Sequence, residues 1–406
     1  MSSYFDRIER QLAGAVETGP ERTRPRLRTA IGSLAAAVIT IAVVVIAATL
    51  GHPSGQRNPT GSNPTGIVLT PASGPGPGTR AALEADVVIL RHRLHASFPE
   101  VKVTRVGDTV LLTDVPRRRT PEVLRLTIPG HLHVLDWEGN VLLPGGHTVA
   151  SRLQRQDPRA LAISQGGGSA APGSTGAGGT PLYDAVKLAA AQHALAPGAA
   201  NRRSGAAYFL FEKNCHPTRQ RSCLLAGPSP TRRALLAEAP PGAWVAGARL
   251  YAVPAGFLVV QAAASARTDS TSFADPTRQY FVVRDAPALT DGQITNPEPS
   301  TDQAGNPDVT FGFSAGGERA FQRVTAEIAH RGALVSGFGQ TLNQHLAVAL
   351  DDRILTVPSI DFKTYPDGIA GGGGADITGV FTRQRAQDLA TVLRFAPLAV
   401  PLTPNP

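Results

Sequence analysis

The sequence predicts an α+β protein in which two folded regions follow an N-terminal transmembrane helix. Residues 29–50 contain no charged side chain, which is typical of a membrane-spanning segment. After residue 65, short runs with alternating apolar residues recur between longer runs with apolar residues at helical spacing. Glycine and proline, 42 and 34 of the 406 residues, are frequent between these runs and therefore predict linkers and loops.

The charge balance is basic but carries no nucleic-acid signal. The chain has 39 Lys and Arg residues against 31 Asp and Glu residues, which gives a net charge of +8. Part of the excess lies in the first 28 residues, and the rest is scattered along the chain. Because no aromatic side chains are interleaved with a basic surface, we expect no nucleic-acid partner.

Residues 1–28 are predicted to form a cytoplasmic tail, and residues 29–51 the transmembrane helix. The tail has apolar residues at helical spacing, which predict a short amphipathic helix: Tyr4, Phe5, Ile8, Leu12 and Val16. The uncharged run is longer than a signal-peptide core, which predicts an uncleaved, single-pass anchor in the lipid bilayer. Arginines precede the run and keep the N-terminus in the cytoplasm by the positive-inside rule: Arg22, Arg24, Arg26 and Arg28. We therefore expect most of the chain outside the cytoplasmic membrane.

Residues 52–65 predict a flexible linker, and residues 66–143 predict the first folded domain. Its predicted strands are Ile67–Leu69, Val101–Val106, Thr109–Val115 and His131–Trp137. One predicted helix has an apolar face formed by Leu83, Val87, Leu90 and Leu94. Thr120 and Pro121 begin a second predicted helix. The resulting order, β-α-β-β-α-β, is that of a ferredoxin-like split βαβ unit, so we predict a ferredoxin-like domain.

Residues 144–279 predict a loop-rich middle region, because the glycine-rich run 166–179 cannot pack in a core. Its expected elements are two helices, at about 182–189 and 232–237, and three strands, 208–211, 250–253 and 257–261.

Residues 280–402 predict a second α+β domain. Its centre is a hairpin whose strands flank the polar turn Asp351–Arg353. Pro358 lies inside the second strand of that hairpin, Ile354–Ile360, and therefore predicts an edge strand. Thr382 is placed to cap a final helix with apolar residues at helical spacing: Ala386, Leu389, Ala390 and Leu393.

Cys215 and Cys223 are the two cysteines of the chain, and they predict a disulfide. An extracytoplasmic location is oxidising, and an even number of cysteines there is typical of a disulfide pair. The bond would close a small loop in the middle region. A zinc site would need more ligands than the neighbouring His216 adds.

One motif has the pattern of a nucleophile, but its partners are missing. Gly312–Gly316 fits G-x-S-x-G between a predicted strand and a predicted helix, which would make Ser314 a nucleophile. His330 or His345 would then be the base, but no acid follows in triad order. We therefore interpret Ser314 as a helix cap and predict that the protein is not an enzyme.

Two further patterns are weaker. The run Gly371–Gly374 lacks the following Gly-Lys-Ser/Thr of a phosphate loop and predicts a flexible connection instead. Pairs of histidines on one helix and one strand would form a metal site only if they packed together: His92, His95, His131 and His133. No cysteine or acid pair accompanies them, so we predict no metal and no cofactor.

Several stretches, in order along the chain, resemble the head of the first periplasmic domain of SecD, a subunit of the SecDF protein-export complex. They are YFVVRDAPALTDGQITNPE (280–298), VTFGFSAGGERAFQRVTAEIA (309–329), HLAVALDDRILTVPSIDF (345–362) and ADITGVFTRQRAQDLATVLR (375–394). Two earlier stretches look like the base of the same domain and its continuation: RAALEADVVILRHRLHASFPEVKVTRVGDTVLLTDVP (80–116) and LHVLDWEGNVLLPGG (132–146).

The resemblance implies base and head subdomains on a single anchor. The proton-conducting membrane helices of SecD are not seen after residue 394, and the N-terminal anchor does not match SecD. We therefore expect a passive, non-enzymatic accessory of protein export, whose partners are translocon components or exported polypeptide chains. An open strand edge such as Ile354–Ile360 would bind an extended chain by β-addition. The alternative is a cell-envelope interaction or sensing protein that retains the fold without an export role.

Overall fold

The computed structural model describes residues 65–72, 77–157, 160–161, 179–195, 205–214, 223–240, 242–243, 247–262, 279–336, 342–378 and 382–405. The predicted cytoplasmic tail, the transmembrane helix 29–51 and the linker up to residue 64 lie outside these ranges. None of the helices within the ranges is both long enough and apolar enough to cross a bilayer. The anchor therefore stays a prediction.

The described chain contains both strands and helices, with several strands in succession after the middle region. The strands are β1 (Thr65–Pro71), β2 (Lys102–Val106), β3 (Thr109–Val115), β4 (Leu132–Asp136), β5 (Ala207–Phe211), β6 (Leu224–Ser229), β7 (Arg249–Val253), β8 (Phe257–Gln261), β9 (Tyr280–Arg284), β10 (Leu289–Thr290), β11 (Ile294–Thr301), β12 (Pro307–Phe313), β13 (Gln344–Leu350), β14 (Arg353–Thr356), β15 (Ser359–Ile360), β16 (Ala375–Thr378) and β17 (Leu402–Asn405). The α-helices are α1 (Pro77–His95), α2 (Thr120–Arg125), α3 (Trp137–Asn140), α4 (Val149–Leu153), α5 (Leu182–Ala190), α6 (Arg232–Glu238), α7 (Ala315–Ser336) and α8 (Arg383–Arg394). The α+β class is confirmed.

The first sheet is antiparallel, with the strand order β17-β1-β3-β2. Helix α1 crosses from β1 to β2 and covers one face of the sheet. Its predicted apolar face is confirmed, because every residue of that face is buried in one core with β1, β2 and β3: Leu83, Val87, Leu90 and Leu94. The opposite face of this sheet carries the exposed Val68.

The ferredoxin-like domain is not confirmed, because the predicted fourth strand lies in another sheet. Strand β4 forms close to where it was predicted, but it pairs with β10 and β13. The place beside β1 is taken by β17, from the C-terminal end of the described chain. The physical reason is burial on both sides of β4: Leu132 and Val134 enter one core, and Leu135 enters another. A sheet with one covered face cannot bury both sides of such a strand.

The largest sheet has seven strands, with the order β10-β4-β13-β14-β8-β9 and with β15 also paired to β13. It draws strands from both predicted domains and from the middle region between them, so the boundaries at 143 and 279 do not separate sheets. One face packs on α7 through Phe321, Val324 and Ile328. The other face packs on α3 and α4 through Trp137 and Val149.

The prediction that residues 354–360 form one edge strand is wrong. Val357 and Pro358 belong to neither strand, so the run divides into β14 before them and β15 after them. Strand β14 lies inside the sheet, because it pairs with β13 on one side and with β8 on the other. Strand β15 pairs with the start of β13, and Pro358 itself accepts a hydrogen bond from the Leu346 amide. The run is therefore not one continuous edge strand of the kind predicted to accept a chain by β-addition.

The middle region contains a three-stranded sheet, β6-β5-β7. The predicted strands and helices of this region are confirmed, but β6 is an element that the sequence reasoning missed. Its Gly227-Pro228 pair is typical of a turn, so the sequence pattern did not predict a strand there. Helix α6 packs on one face through Leu235, and α5 packs on the other through Tyr183 and Val186.

A second three-stranded sheet, β11-β12-β16, lies against α8. The side-chain oxygen of Thr382 accepts a hydrogen bond from the Arg385 amide, so the predicted cap is confirmed. Helix α8 contributes to two cores, because Leu389 and Leu393 pack in the core of this sheet and of α7, while Val392 packs in the core of α1.

Candidate functional site

The strongest candidate site is a cavity of about 550 Å³. It lies where the first sheet, the seven-stranded sheet and the middle-region sheet approach one another. The lining comes from eight parts of the chain: the end of β1, β17, α2 and the turn after it, the start of β5, the end of β6, the β7–β8 hairpin, the β13–β14 turn and α8. This volume falls within the range of about 300–1,000 Å³ that is typical of ligand pockets.

The wall of the cavity is mainly apolar. Its buried members come from different elements: Phe209, Phe257, Val259, Leu355, Leu389 and Leu402. Each of these residues lies on the face of its element that borders the cavity, since residues at alternate positions of a strand point to one face. Cavity-lining prolines add apolar surface without an N–H group: Pro121, Pro129, Pro228, Pro401 and Pro404.

The charged lining residues come from α2, the β13–β14 turn and α8. Arg125 of α2 donates to Asp388 of α8 at 2.7 Å, and both side chains are almost fully buried. Asp351, in the β13–β14 turn, accepts hydrogen bonds from the amides of Gly130 and His131. These contacts attach the turn after α2 to the seven-stranded sheet and to α8.

Burial raises the pKa of the three carboxyl groups that line the cavity, Asp351, Asp352 and Asp388. The pKa of Asp351 is raised to about 6, against the opposing effect of the hydrogen bonds from His131 and Gly130. The pKa of Asp388 is also raised by burial, although Gln384 and Arg125 oppose the shift. The charged part of the lining is therefore sensitive to pH, whereas the apolar wall is not.

The cavity has the chemistry of a binding site. Among the described residues that line the cavity, Ser229 is the one serine, and none is a cysteine. The Ser229 hydroxyl donates a hydrogen bond to Glu238 at 2.7 Å. That pairing holds the hydroxyl in a structural hydrogen bond. An apolar wall with a few polar groups suits an apolar segment of a polypeptide, whose side chains need no hydrogen-bond partner.

Sequence reasoning missed the cavity, and no local signal marks it. Its wall residues are ordinary apolar positions of strands and helices that lie far apart in the sequence. The cavity exists only because three sheets meet without filling the space between them.

Ser314 lies at the start of α7 and caps it. Its side-chain oxygen accepts a hydrogen bond from the Gly317 amide at 3.2 Å, and its own amide donates to the Gln293 carbonyl. His330 lies within α7 itself. His345 lies in β13, where its ring is 2.6 Å from the buried Glu138 carboxylate. The interpretation of Ser314 as a helix cap therefore agrees with the geometry.

The histidines are divided among different environments. His92 stacks on Phe395, with 5.7 Å between ring centroids. His133 lies 3.4 Å from the buried Asp285. Within the ranges that the structure describes, no group of three or more His, Cys, Asp or Glu residues could hold a metal ion.

The glycine run 371–374 is a tight connection and has no phosphate-binding shape. Gly371 begins a short 3-10 helix and packs on α7, where a β-carbon would lie 2.7 Å from the Glu318 α-carbon. Gly374 has φ of +76°, and a β-carbon there would lie 2.5 Å from the Phe311 carbonyl oxygen. Both positions therefore require glycine for packing reasons.

The predicted disulfide stays a prediction. Cys223 lies at the start of β6, is buried, and is not a free thiol. Cys215 lies outside the described residues.

Comparison with known proteins shows that part of the chain is similar to SecD. A family model described as SecDF, P1 head subdomain, matches residues 266–400. The SecD subunit of the protein translocase of Rhodobacter capsulatus is 34% identical over 124 residues, which are 30% of this chain and 19% of that protein. The SecD of Aquifex aeolicus is 30% identical over 125 residues, which are 31% of this chain and 21% of that protein. These alignments span about a fifth of the relatives' length.

Solved SecDF structures are also similar. A crystal structure of SecDF in a super-membrane-facing form covers 84% of this chain and 29% of its own, with 19% identity and a TM-score of 0.39. A structure of SecDF described as a membrane component that enhances protein export covers 84% of this chain and 98% of its own, with 17% identity and a TM-score of 0.38. TM-scores this low carry no argument about the fold, so the comparison rests on the family model and the SecD relatives. The resemblance seen in the sequence is confirmed: residues 266–400 match the SecDF P1 head model, and the chain is similar to the first periplasmic domain of SecD.

Proposed function

We propose that this chain is a non-enzymatic accessory of protein export that holds apolar segments of exported polypeptides. The observation that carries the proposal is the apolar cavity of about 550 Å³ at the meeting of three sheets. The similarity to SecD, a translocase subunit, supports the connection to protein export. Binding would proceed by burial of apolar side chains, since the run predicted to accept a chain by β-addition is divided between two short strands.

The proposal also states where the protein lies in the cell and which partners it contacts. The uncharged run 29–51 would anchor the chain in the cytoplasmic membrane, with the N-terminus in the cytoplasm and the head outside. Translocon components and exported chains would be the partners, and the linker 52–65 would allow the head to reach them. The head would bind passively.

Filling the cavity is expected to weaken polypeptide binding. Ala207 lies at the cavity wall, at the start of β5, and Ala207→Trp would place an indole in the space. We expect the Kd for a fluorescein-labelled peptide of alternating leucine and serine to rise by about tenfold or more. Fluorescence anisotropy with the purified extracytoplasmic region measures this change.

The matched control is Ala237→Trp, which adds the same indole to an exposed position of α6. We expect this variant to bind the peptide as the parent chain does. Equal weakening in both variants, or no binding by the parent chain, would contradict the cavity as the polypeptide site and would leave the envelope-sensing alternative.

We propose the disulfide Cys215–Cys223 as part of this extracytoplasmic assignment. Thiol titration of the unreduced, denatured protein is expected to find no free thiol. Reduction is expected to lower the free energy of unfolding by about 2–3 kcal/mol, because a short closed loop is released in the unfolded chain. Two free thiols in protein purified from the membrane without reductant would contradict both the bond and the topology.

A further inference from the structure

Basic and tyrosine side chains meet between α5 and the strand β7 of the middle-region sheet. Tyr183 and Lys187 lie one turn apart on α5, and Arg249 and Tyr251 lie at alternate positions of β7. The phenol oxygens of Tyr183 and Tyr251 are 3.1 Å apart, and the Lys187 ammonium lies 5.2 Å from the centre of the Tyr183 ring. These four side chains form one group, which we call the tyrosine–arginine cluster.

Aromatic packing holds the two tyrosines of the cluster in place. The rings of Tyr183 and Tyr251 each contact the buried Phe211 edge to face, with centroid distances of 5.2 Å and 6.0 Å. They contact each other in the same way, at 5.8 Å. Because the rings are packed, the fold positions the two hydroxyl groups before any ligand arrives, which lowers the entropic cost of binding.

The cluster has more hydrogen-bond donors than acceptors. The exposed Arg249 guanidinium donates to the phenol oxygens of Tyr251 and Tyr183, and these hydrogen bonds raise the pKa of Arg249. A guanidinium has more N–H groups than two phenol oxygens use, so Arg249 can donate further. The pKa of Tyr183 is raised, chiefly by its hydrogen bond to Tyr251, so this phenol stays protonated at neutral pH. One hydroxyl of the pair donates to the other, which leaves the second hydroxyl hydrogen for an outside acceptor.

The positive charge of the cluster is not balanced by an acid. Within the part of the chain that the structure describes, neither Lys187 nor Arg249 forms an ion pair with Asp or Glu. Asp184 follows Tyr183 directly on α5, so its side chain points about 100° away from the tyrosine around the helix axis. Buried arginines elsewhere are paired, as Arg331 is with Asp136.

Further positive charge surrounds the cluster. The Lys213 side chain lies against Gly247, two residues before Arg249, since a β-carbon at Gly247 would lie 3.0 Å from the Lys213 Cδ atom. The scattered positive charge of the sequence is densest in this region, because residues 182–253 contain nine Lys and Arg residues against three Asp and Glu residues. An anion is therefore attracted to this part of the molecule.

The donor set favours a phosphate group over other anions. An arginine fork matches two phosphate oxygens, lysine adds a point charge, and a tyrosine hydroxyl donates to a further oxygen. A carboxylate has fewer oxygens and would leave some of these donors unused. Tyr183 is only 8% exposed, so its ring offers no platform on which a nucleic-acid base could stack.

We propose that the tyrosine–arginine cluster binds a phosphate group, carried by a phospholipid headgroup or free in solution. Arg249 and Lys187 supply the charge, and the phenol pair supplies an oriented hydroxyl donor. None of the four side chains lines the apolar cavity, so the site is separate from it and does not rest on polypeptide binding there.

The test is isothermal titration calorimetry on the full chain, purified in a non-ionic detergent. The probes are inorganic phosphate and glycerophosphoglycerol, the headgroup of phosphatidylglycerol without its acyl chains, with sodium chloride at equal ionic strength as the reference. Binding of glycerophosphoglycerol would assign the site to a lipid headgroup, and binding of inorganic phosphate alone would assign it to free phosphate. We expect Lys187→Gln combined with Arg249→Gln to raise the Kd of the bound probe about tenfold or more.

Tyr251→Phe tests the phenol pair without removing the ring. It is expected to raise the Kd about three- to tenfold, because one hydrogen-bonding group is lost while the aromatic packing stays. An unchanged Kd in this variant would show that the tyrosines do not contribute to the site.

The matched control is Arg232→Gln combined with Arg233→Gln. It removes the same charge from exposed positions of α6, which covers the opposite face of the same sheet. This control is expected to change the Kd by less than about twofold. The proposal would be overturned if neither probe bound, if the control weakened binding equally, or if a peptide of alternating threonine and glutamate bound more tightly than both probes. Ala207→Trp, which fills the cavity, is expected to bind the phosphate probe as the parent chain does.

Discussion

Replacing Arg93 by alanine is expected to lower the free energy of unfolding by about 3–5 kcal/mol. The guanidinium of Arg93 is fully buried beneath α1. It donates to the carbonyl oxygens of Ile128 at 2.6 Å, Pro129 at 2.9 Å and Ala396 at 3.0 Å. It therefore connects α1 to the turn after α2 and to the segment after α8. Without it, these buried carbonyl groups lose their donor, and each loss is costly.

The side chain of Arg93 remains charged despite its burial. Burial lowers its pKa to about 10, while Asp351 and Asp86 oppose the shift. Arg93→Lys is expected to recover only part of the stability, since an ammonium group cannot reach carbonyl groups in three directions as the planar guanidinium does.

Chemical denaturation, followed by circular dichroism, measures the change for Arg93→Ala. The control is Arg80→Ala, whose side chain is 62% exposed and pairs with Asp108 at the surface. We expect the control to change the free energy of unfolding by less than about 1 kcal/mol. A loss of similar size in both variants would show that the carbonyl groups beneath α1 are satisfied without Arg93.

Asp308→Asn is expected to stabilise the fold at neutral pH by about 2 kcal/mol. Burial raises the pKa of Asp308 from 3.8 to about 6, and the Asp376 and Asp302 carboxylates add to the shift. The folded state therefore binds a proton more tightly than the unfolded state does. The resulting stability is fully present below about pH 4 and is lost as the pH rises through about 6. Asparagine removes the charge without changing the shape of the side chain.

Thermal unfolding at a series of pH values tests this prediction. The parent chain and Asp308→Asn are expected to have the same melting temperature at pH 4, where Asp308 is protonated in the folded state. Above about pH 6, the variant is expected to melt at a higher temperature. A variant that is less stable than the parent at pH 8 would show that the ionised carboxylate has a partner that stabilises it.

Local patterns of the sequence determined several elements of this protein directly. The apolar spacing of Leu83, Val87, Leu90 and Leu94 predicted α1 and the face that it buries. Thr382 predicted the start of α8, and the G-x-S-x-G serine was correctly interpreted as the cap of α7. These features depend on neighbours within one or two turns, so the side chains themselves carry the information.

The tertiary structure alone decided how these elements combine. Strand ladders are formed by backbone groups that every residue shares, so the sequence did not indicate that β17 would replace β4 beside β1. Nor did it show that Asp86 and Arg93, which resemble surface charges of a helix, are fully buried. Asp86 accepts hydrogen bonds from the Ala399 and Val400 amides, which lie far along the chain.

The cavity and the neighbourhood of Asp308 were also decided by tertiary structure. Pro358 predicted an edge strand, but the chain leaves the ladder at that proline and lets β14 lie between β13 and β8. The cavity is bounded by residues from distant parts of the chain, and Asp308 and Asp376 meet only through strand register. Periodicity along the sequence determines which residues point to one face of an element, whereas pairing between distant elements determines what that face meets.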